Sequence, residues 1–400
     1  MTPLSFMLIA GEASGDTLSA ELVCALREQV VKLGAVETDD AQPLRTALAP
    51  RFFGAGGQKM AAAGVELAVD MTQHSVIGIS EVLKNYFKFR LLFRQLFKLA
   101  VQRQPDVIVG VDYGGFNLRF GRAIKRYIRR HRTEFVPWNP RIVQFVSPQV
   151  WASRPDRAYT LADNYDLLLS IFPFEKEWYA KRVPKLHVEF VGHPMVARFP
   201  GPSPTLRNQN PNSLVLFLPG SRPDEVRRHW PVVTDTFQLL RREKPDLRGK
   251  VVLPDAPLAE SAKTLGLPTG LEMQVGKLNT ALAEADLAVT KSGTVTMECA
   301  MFGVPAVVFY KTSWPTYLIG KQVVNVPYLA MPNLLAGEEL FPEFLQHAAT
   351  PNNIARAALC LLQDEHRRAE VKSKLAHIVL SLGGPGAPAR AATAVVNLLE

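Results

Sequence analysis

Short apolar runs, each closed by a turn and followed by a helical pattern, recur along this chain and leave it few architectures. The first is SFMLIA (residues 5–10), followed by the turn GEASGD (11–16) and a helix from about Thr17 to Leu33 that Ser14 or Asp16 can cap. DVIVGVD (106–112) leads into a helix ending near His131, and RIVQFVS (141–147), LLLSIF (167–172) and HVEFVG (187–192) continue the series. Strands alternating with helices specify an α/β protein with a doubly wound sheet, which binds ligands outside the carboxyl ends of its strands. Residues 200–213, PGPSPTLRNQNPNS, contain four prolines and no periodicity and read as a linker. Alternation restarts with SLVLFLPGSR (213–222), a helix to about Lys244, KVVLP (250–254) and DLAVTKSGTVTMECAMFGVPAVVFYK (286–311). The expected fold is two Rossmann-like doubly wound domains facing a cleft, over residues 1–199 and 214–365. Helices over 366–400 are able to cross back onto the first domain. Segments 36–50 and 133–140 read as surface loops.

A chain of 400 residues with 47% hydrophobic content suffices for packed cores. The formal charge of +9 and pI near 9.4 favour an acidic partner: a nucleotide, a phospholipid surface or nucleic acid. Cys24, Cys299 and Cys360 lie in apolar helical patterns without C-x-x-C spacing, so reduced, buried thiols in a cytoplasmic protein are expected. The N-terminal apolar run, Phe6 to Ala10, has no basic flank and reads as a strand rather than a signal peptide. No segment offers the roughly 18 uninterrupted apolar residues of a membrane span, so any membrane contact is expected to be peripheral.

Within 286–311, Leu287 to Val289 reads as a strand, Lys291, Ser292 and Gly293 as a turn, Thr294 to Phe302 as a helix, and Val304 to Tyr310 as a second strand. Such a βαβ unit brings the N–H groups of a helix mouth to the sheet edge, where a pyrophosphate can sit, and Glu298 can reach back to accept bonds from vicinal hydroxyls. An ordinary crossover with a solvated glutamate fits the same spacing. In LPGSRPDEV (218–226), Arg222 stands before a helix opened by Pro223 and offers a fork to a diphosphate, unless it pairs with Asp224 or Glu225. Asp112 ends an apolar strand and can accept a proton from a substrate hydroxyl, or else cap the next helix; Gly114 and Gly115 let a ligand approach the backbone. His193 has no metal-ligand spacing and reads as a loop hydrogen-bonder. G-x-S-x-G, H-E-x-x-H and Walker A patterns are absent. From Ser80 to about Gln102, a wheel places Phe89, Phe93, Leu96, Phe97 and Ala100 on one arc and Lys84, Lys88, Gln95 and Lys98 on the other. That arc suits an anionic bilayer, a buried core face, or a division between the two.

Nine strings in order resemble the lipid-A-disaccharide synthase family, glycosyltransferases of the GT-B architecture. They are GEASGD, VIGISEVL (76–83), GVDYGGFNL (110–118), VSPQVWA (146–152), FPFEKEWY (172–179), FVGHP (190–194), LPGSRPDEV, SGTVTMECAMFGVPAVVFYK (292–311), and MPNLLAGEEL (331–340) with PEFLQ (342–346). The resemblance implies that UDP-2,3-diacylglucosamine and 2,3-diacylglucosamine 1-phosphate (lipid X) condense to a β-1,6 disaccharide and UDP, with no cofactor and no metal. By carry-over, Asp112 is the general base, Arg222 meets the diphosphate, and Ser292, Gly293, Thr294 and Glu298 form the UDP unit. Asn333 and Gln346 lie near the sugar, and Ser14 lies on the turn facing the cleft. Phe89, Phe93, Phe97, Lys88 and Lys98 become membrane contacts of a cytoplasmic protein peripheral on the anionic inner membrane, with no nucleic-acid partner. Monomer and homodimer both stay open. The family's D-A-P-D-F-N reads here Asp112, Tyr113, Gly114, Gly115, Phe116, Asn117, so a second carboxylate is missing. Ser153 and Ala197 also depart from the pattern. A UDP-sugar 2-epimerase-like enzyme and a non-catalytic nucleotide-sugar-binding protein at a membrane surface remain alternatives.

Overall fold

The computed structural model describes residues 3–36, 49–71, 82–133, 137–199 and 212–399. Nearly all of the expected linker and of the loop at 36–50, and part of that at 133–140, lie outside these residues. The chain divides into two compact units, one of Met1–Ala197 with Leu382–Glu400 and one of Arg198–Ser381.

The first unit carries a parallel seven-stranded sheet of β1 (Ser5–Ala10), β2 (Arg51–Gly56), β3 (Glu66–Asp70), β4 (Val107–Val111), β5 (Arg141–Phe145), β6 (Leu167–Ser170) and β7 (Val188–Phe190). Their spatial order is 3-2-1-4-5-6-7. Every residue of β4 is buried, as a strand covered by helices on both faces requires. On one face Met7, Ile9 and Ile108 pack with Phe116, Phe120 and Ile124 of the helix Gly114–His131. The last helix, Ala387–Val396, packs on the first, Ala13–Val36.

The second unit repeats the plan with β8 (Leu214–Leu218), β9 (Arg248–Leu253), β10 (Leu271–Val275), β11 (Leu287–Lys291), β12 (Ala306–Tyr310) and β13 (Glu343–Leu345), in the order 10-9-8-11-12-13. Alternation along β8 divides its side chains between two cores. Val215 and Phe217 meet Trp230 and Phe237, whereas Leu214, Leu216 and Leu218 meet Cys299 and Leu375.

Several expectations change. The helix after β1 begins at Ala13, so Ser14 and Asp16 lie inside it instead of capping it. Asp16 caps a different helix: its carboxylate accepts the N–H groups of Gly57, Lys59 and Met60 at the start of Gln58–Ala62. Cys24 and Cys360 are exposed and only Cys299 is buried, because the first two face outward from helices whose apolar stripes lie elsewhere. Among the described residues no helix is long and apolar enough to cross a membrane.

The aromatic helix runs Val82–Arg103. Leu96 and Ala100 are fully buried, while Phe89, Phe93 and Phe97 are half-buried against the same core. Phe93 meets Phe116 and Phe120 edge-on, and Phe97 meets Tyr127. Lys98 is exposed on the opposite side; the side chain of Lys88 lies outside the described residues. Truncating Leu96 to Ala is therefore expected to cost about 2–5 kcal/mol of unfolding free energy. Leu91→Ala, on a residue 59% exposed, should cost under about 0.5 kcal/mol. Urea unfolding of the two variants measures the difference, and equal losses would show that this helix does not dock as described.

Candidate active site

The order of each sheet reverses beside its first strand, and the loops leaving the two central strands there run to opposite sides. In the first unit these strands are β1 and β4, which end side by side at Ala10 and Val111. Ser14 follows one and Asp112 the other, and the Ser14 hydroxyl donates to Asp112 Oδ2 at 3.3 Å. Asp112 and Tyr113 are both left-handed, with φ of 52° and 44°. For residues other than glycine this costs roughly 1–2 kcal/mol each.

Three hydrogen bonds to the Asp112 backbone offset that strain. Its N–H donates to the Phe145 carbonyl at 2.6 Å, and its carbonyl accepts the amides of Asn117 and Gln144, each at 2.9 Å. Both amides are buried beside Gly110, where a Cβ would lie 2.8 Å from Asn117 Cγ and Gln144 Oε1. Glycine in the middle of β4 thus makes room for the groups that fix Asp112. The Tyr113 ring covers Gly11 so closely that any Cβ there would collide with it. Burial and the charge of Glu12 push the Tyr113 hydroxyl up to about 12, which keeps it protonated. At Gly115 a Cβ would meet nothing within 4 Å, so the position of the missing carboxylate is open space.

Glu175, to which no spacing points, joins two of the nine strings. It is fully buried and accepts from Trp151 Nε1 at 3.0 Å and from the Phe172 N–H at 3.2 Å, which ties the 172–179 segment to the 146–152 loop after β5. Ser147 donates to the Tyr179 hydroxyl, which donates to the Pro148 carbonyl. Burial raises Glu175 from 4.5 to about 7, outweighing these hydrogen bonds. His193 accepts the Met195 N–H at Nδ1, donates its own N–H to the Leu382 carbonyl, and sets its ring against Phe172.

In the second unit the central strands are β8 and β11, neighbours through Leu218 and Thr290. Arg222 stands exposed at the N-cap of the helix Pro223–Glu243. The pairings that competed for it go elsewhere, since Asp224 binds Arg227 and Glu225 binds Lys291 at 3.5 Å. Arg222 has no carboxylate partner among the described residues. Glu225 also accepts the Ser221 N–H, and Gly220 makes this possible because a Cβ there would lie 2.6 Å from Glu225 Oε2. Lys291 closes β11 rather than opening a turn, and its contact with Glu225 joins the two loops.

Ser292 is tied down twice, its N–H to the Phe309 carbonyl and its hydroxyl to the Leu329 carbonyl, both at 3.2 Å. The N–H groups of Gly293 and Thr294 meet no acceptor among the described residues, and neither does the Glu298 carboxylate find a donor. Burial holds Glu298 above the usual carboxylate range. Buried His229 is pushed down in pKa and is neutral, donating from Nδ1 to the Pro219 carbonyl and accepting the Lys311 N–H at Nε2.

Asn333 uses all four of its hydrogen-bonding positions internally. Its oxygen accepts the Leu340 and Phe341 N–H groups, and its amide donates to the Phe341 carbonyl and to Glu343. Glu343 in turn accepts the N–H groups of Leu329 and Ala330, so a chain of bonds runs from Asn333 through Glu343 and Leu329 to Ser292. Gln346 accepts and donates at the Thr312 backbone and is likewise a brace.

Residues 6–394 match the family model described as lipid-A-disaccharide synthetase. The lipid-A-disaccharide synthase of Alkalilimnicola ehrlichii is 35% identical over 410 residues, 98% of each chain. That of Myxococcus xanthus is 34% identical over 407 residues, 99% of this chain and 98% of the relative. Among solved structures, the calicheamicin glycosyltransferase CalG4 aligns with a TM-score of 0.57 at 14% identity, over 100% of this chain and 99% of that one. The UDP-GlcNAc 2-epimerase of Neisseria meningitidis aligns at 0.54 and 10% identity, over 100% and 99%. At these identities the structural likenesses speak for the fold alone.

The buried Glu175 has a pH consequence. Between about pH 4.5 and pH 7 the folded chain keeps a proton that the unfolded chain has lost, so stability falls as pH rises through that window, by on the order of 3 kcal/mol from this group. Glu175→Gln, which cannot ionise, is expected to flatten that slope in urea unfolding. Equal slopes in the two proteins would remove Glu175 as its source.

Proposed function

The chain belongs to the lipid-A-disaccharide synthase family, glycosyltransferases of lipid A biosynthesis with the GT-B fold, and from this premise we propose that it joins UDP-2,3-diacylglucosamine to 2,3-diacylglucosamine 1-phosphate. The observation that carries the reading is what stays unpartnered where the second sheet reverses. A guanidinium at Arg222, the N–H groups of Gly293 and Thr294, and the carboxylate of Glu298 are the complement of a diphosphate and a ribose.

In the proposed reaction the acceptor's 6-hydroxyl attacks the anomeric carbon of the donor from the face opposite the diphosphate. The new C–O bond forms as the bond to the phosphate oxygen breaks, which inverts that carbon and gives a β-1,6 linkage. Asp112 takes the hydroxyl proton, and Ser14 orients its carboxylate. Negative charge accumulating on the departing UDP is met by Arg222 and by the N–H groups of Gly293 and Thr294. Ser292 and Asn333 act by holding the turn at 292–294 in place, and Gln346 by holding the Thr312 backbone, since their own hydrogen bonds are satisfied within the unit. Both substrates bear acyl chains, and the helix with Phe89, Phe93, Phe97, Lys88 and Lys98 is assigned to the membrane that contains them.

Two substitutions separate the roles. Asp112→Asn is expected to lower kcat by about 10² to 10⁴ while leaving UDP affinity within about twofold of the wild type. Arg222→Ala should weaken UDP binding roughly tenfold to a hundredfold, as loss of hydrogen bonds to a charged group does. Titration calorimetry with UDP alongside steady-state rates checks both, and near-full turnover of the Asp112 variant would take the base role from it.

A further inference from the structure

Three arginines gather beside the start of the helix Gly114–His131, and no step of the proposed reaction uses them. Arg119 stands on that helix, one turn after Gly115. Arg154 closes the short helix Val150–Ser153 in the segment that follows β5. Arg157 opens the next helix, Arg157–Asn164, with its backbone N–H on the Arg154 carbonyl at 3.0 Å. The fold holds these elements together: the Tyr165 hydroxyl donates to the Asn117 carbonyl, Lys125 pairs with Asp166, and at Gly114 a Cβ would lie 3.0 Å from Pro148 Cβ. Trp151, in the same segment as Arg154, is anchored on buried Glu175.

Surface arginines ordinarily belong to a solvated face, where water or a nearby carboxylate offsets their charge. Two observations set this cluster apart. Arg157 is only partly exposed, and burial together with the charges of Arg154 and Arg119 pushes its pKa down, so the charged neighbours that act on it are cations. Among the described residues no carboxylate, adjacent Asp156 included, pairs with any of the three, whereas Arg103 and Lys125 of the same unit are paired with Glu66 and Asp166. Position 115, from which a carboxylate would reach Arg119 one turn on, is a glycine with nothing within 4 Å of a Cβ. Uncompensated repulsion is therefore kept at the edge of open space, and an anion there relieves it.

We propose that Arg119, Arg154 and Arg157 bind the 1-phosphate of the acceptor and so select an acceptor that carries a phosphate monoester. Such a group has about −1.5 to −2 charge near pH 7 and three acceptor oxygens, which suits several guanidinium forks. The inference rests on the reading above for the identity of the acceptor. Arg119 lies about 7.5 Å along the helix from Gly114 at 1.5 Å per residue, and side chains on a helix lean towards its N-terminus, here the end at Asp112. The sugar ring of the acceptor then lies over Gly114 and Gly115, with its 6-hydroxyl at Asp112 and its phosphate at the arginines. Holding the phosphate orients the hydroxyl towards its base.

Titration calorimetry in uncharged detergent, without donor, tests this with two probes: 2,3-diacylglucosamine 1-phosphate and the same lipid lacking the phosphate. The wild type is expected to bind the first at least about tenfold more tightly than the second. Arg119→Gln, Arg154→Gln and Arg157→Gln should each weaken the first about tenfold and leave the second within about twofold of the wild type. Arg157→Lys, which keeps the charge, should bind the phosphorylated lipid more tightly than Arg157→Gln, and Lys32→Gln, on an exposed residue elsewhere, should change neither probe. The proposal is overturned if the wild type binds both lipids equally, or if the three variants lose both equally, which marks the arginines as structural or as general lipid contacts. It is equally overturned if these variants weaken UDP binding as Arg222→Ala is expected to, which gives the cluster to the donor. Turnover is a separate readout. Phosphate-dependent binding without disaccharide formation would sink the glycosyltransferase reading and leave this site standing, whereas disaccharide formed equally well from both acceptors would do the reverse.

Discussion

Reversal of strand order is the constraint from which the chemistry of this chain follows. A parallel sheet wound in both directions from its centre must have two adjacent strands whose following segments leave to opposite sides, and the space between those segments is not filled by the fold itself. The chain meets this condition twice, between β1 and β4 and between β8 and β11. The four segments that leave these strands carry Ser14, Asp112, Arg222 and the Ser292–Thr294 turn. Within each unit the candidate side chains are thus brought to one end of the sheet by topology, before any hydrogen bond is considered.

Hydrogen bonds then fix their positions, and they come mainly from residues to which the proposed reaction gives no ligand contact. Asp112 tolerates a left-handed backbone because Asn117 and Gln144 hold its carbonyl and Phe145 takes its N–H. The turn at Ser292 is held by a relay that starts at buried Asn333. Glu225 and Lys291 connect the two loops of the second unit. By contrast, Arg222, Glu298 and the N–H groups of Gly293 and Thr294 are left without protein partners among the described residues. In the proposed reaction, this division between satisfied braces and unsatisfied contacts separates positioning residues from binding ones.

The interior strands were legible in the sequence because burial on both faces leaves continuous apolar runs, as in VIVGV of β4 and LVLFL of β8. Four strands were not. β3 and β10 are partly exposed and mix charged with apolar residues, β13 is three residues long, and β2 contains two glycines. Local capping rules pointed Asp16 at its own helix, whereas the fold brings it to the helix Gln58–Ala62, a long-range contact that no spacing encodes. Asn333 and Gln346 were recognisable as members of a pattern. Their bonds to backbone atoms of Phe341 and Thr312 were not, because acceptors on the main chain have no signature in side-chain identity. Glu175 escaped notice for a related reason: a charged residue in a helical string reads as solvent-facing until the fold buries it.

The proposed division of labour requires a donor half and an acceptor half that act only together. UDP release by the purified chain, measured with UDP-2,3-diacylglucosamine and 2,3-diacylglucosamine 1-phosphate supplied together and singly in detergent, tests it most directly. Release that depends on both lipids and matches the disaccharide formed, identified by mass, is the expected result. Release from the donor alone at the same rate, or conversion of UDP-N-acetylglucosamine to an epimer without any acceptor, would contradict it.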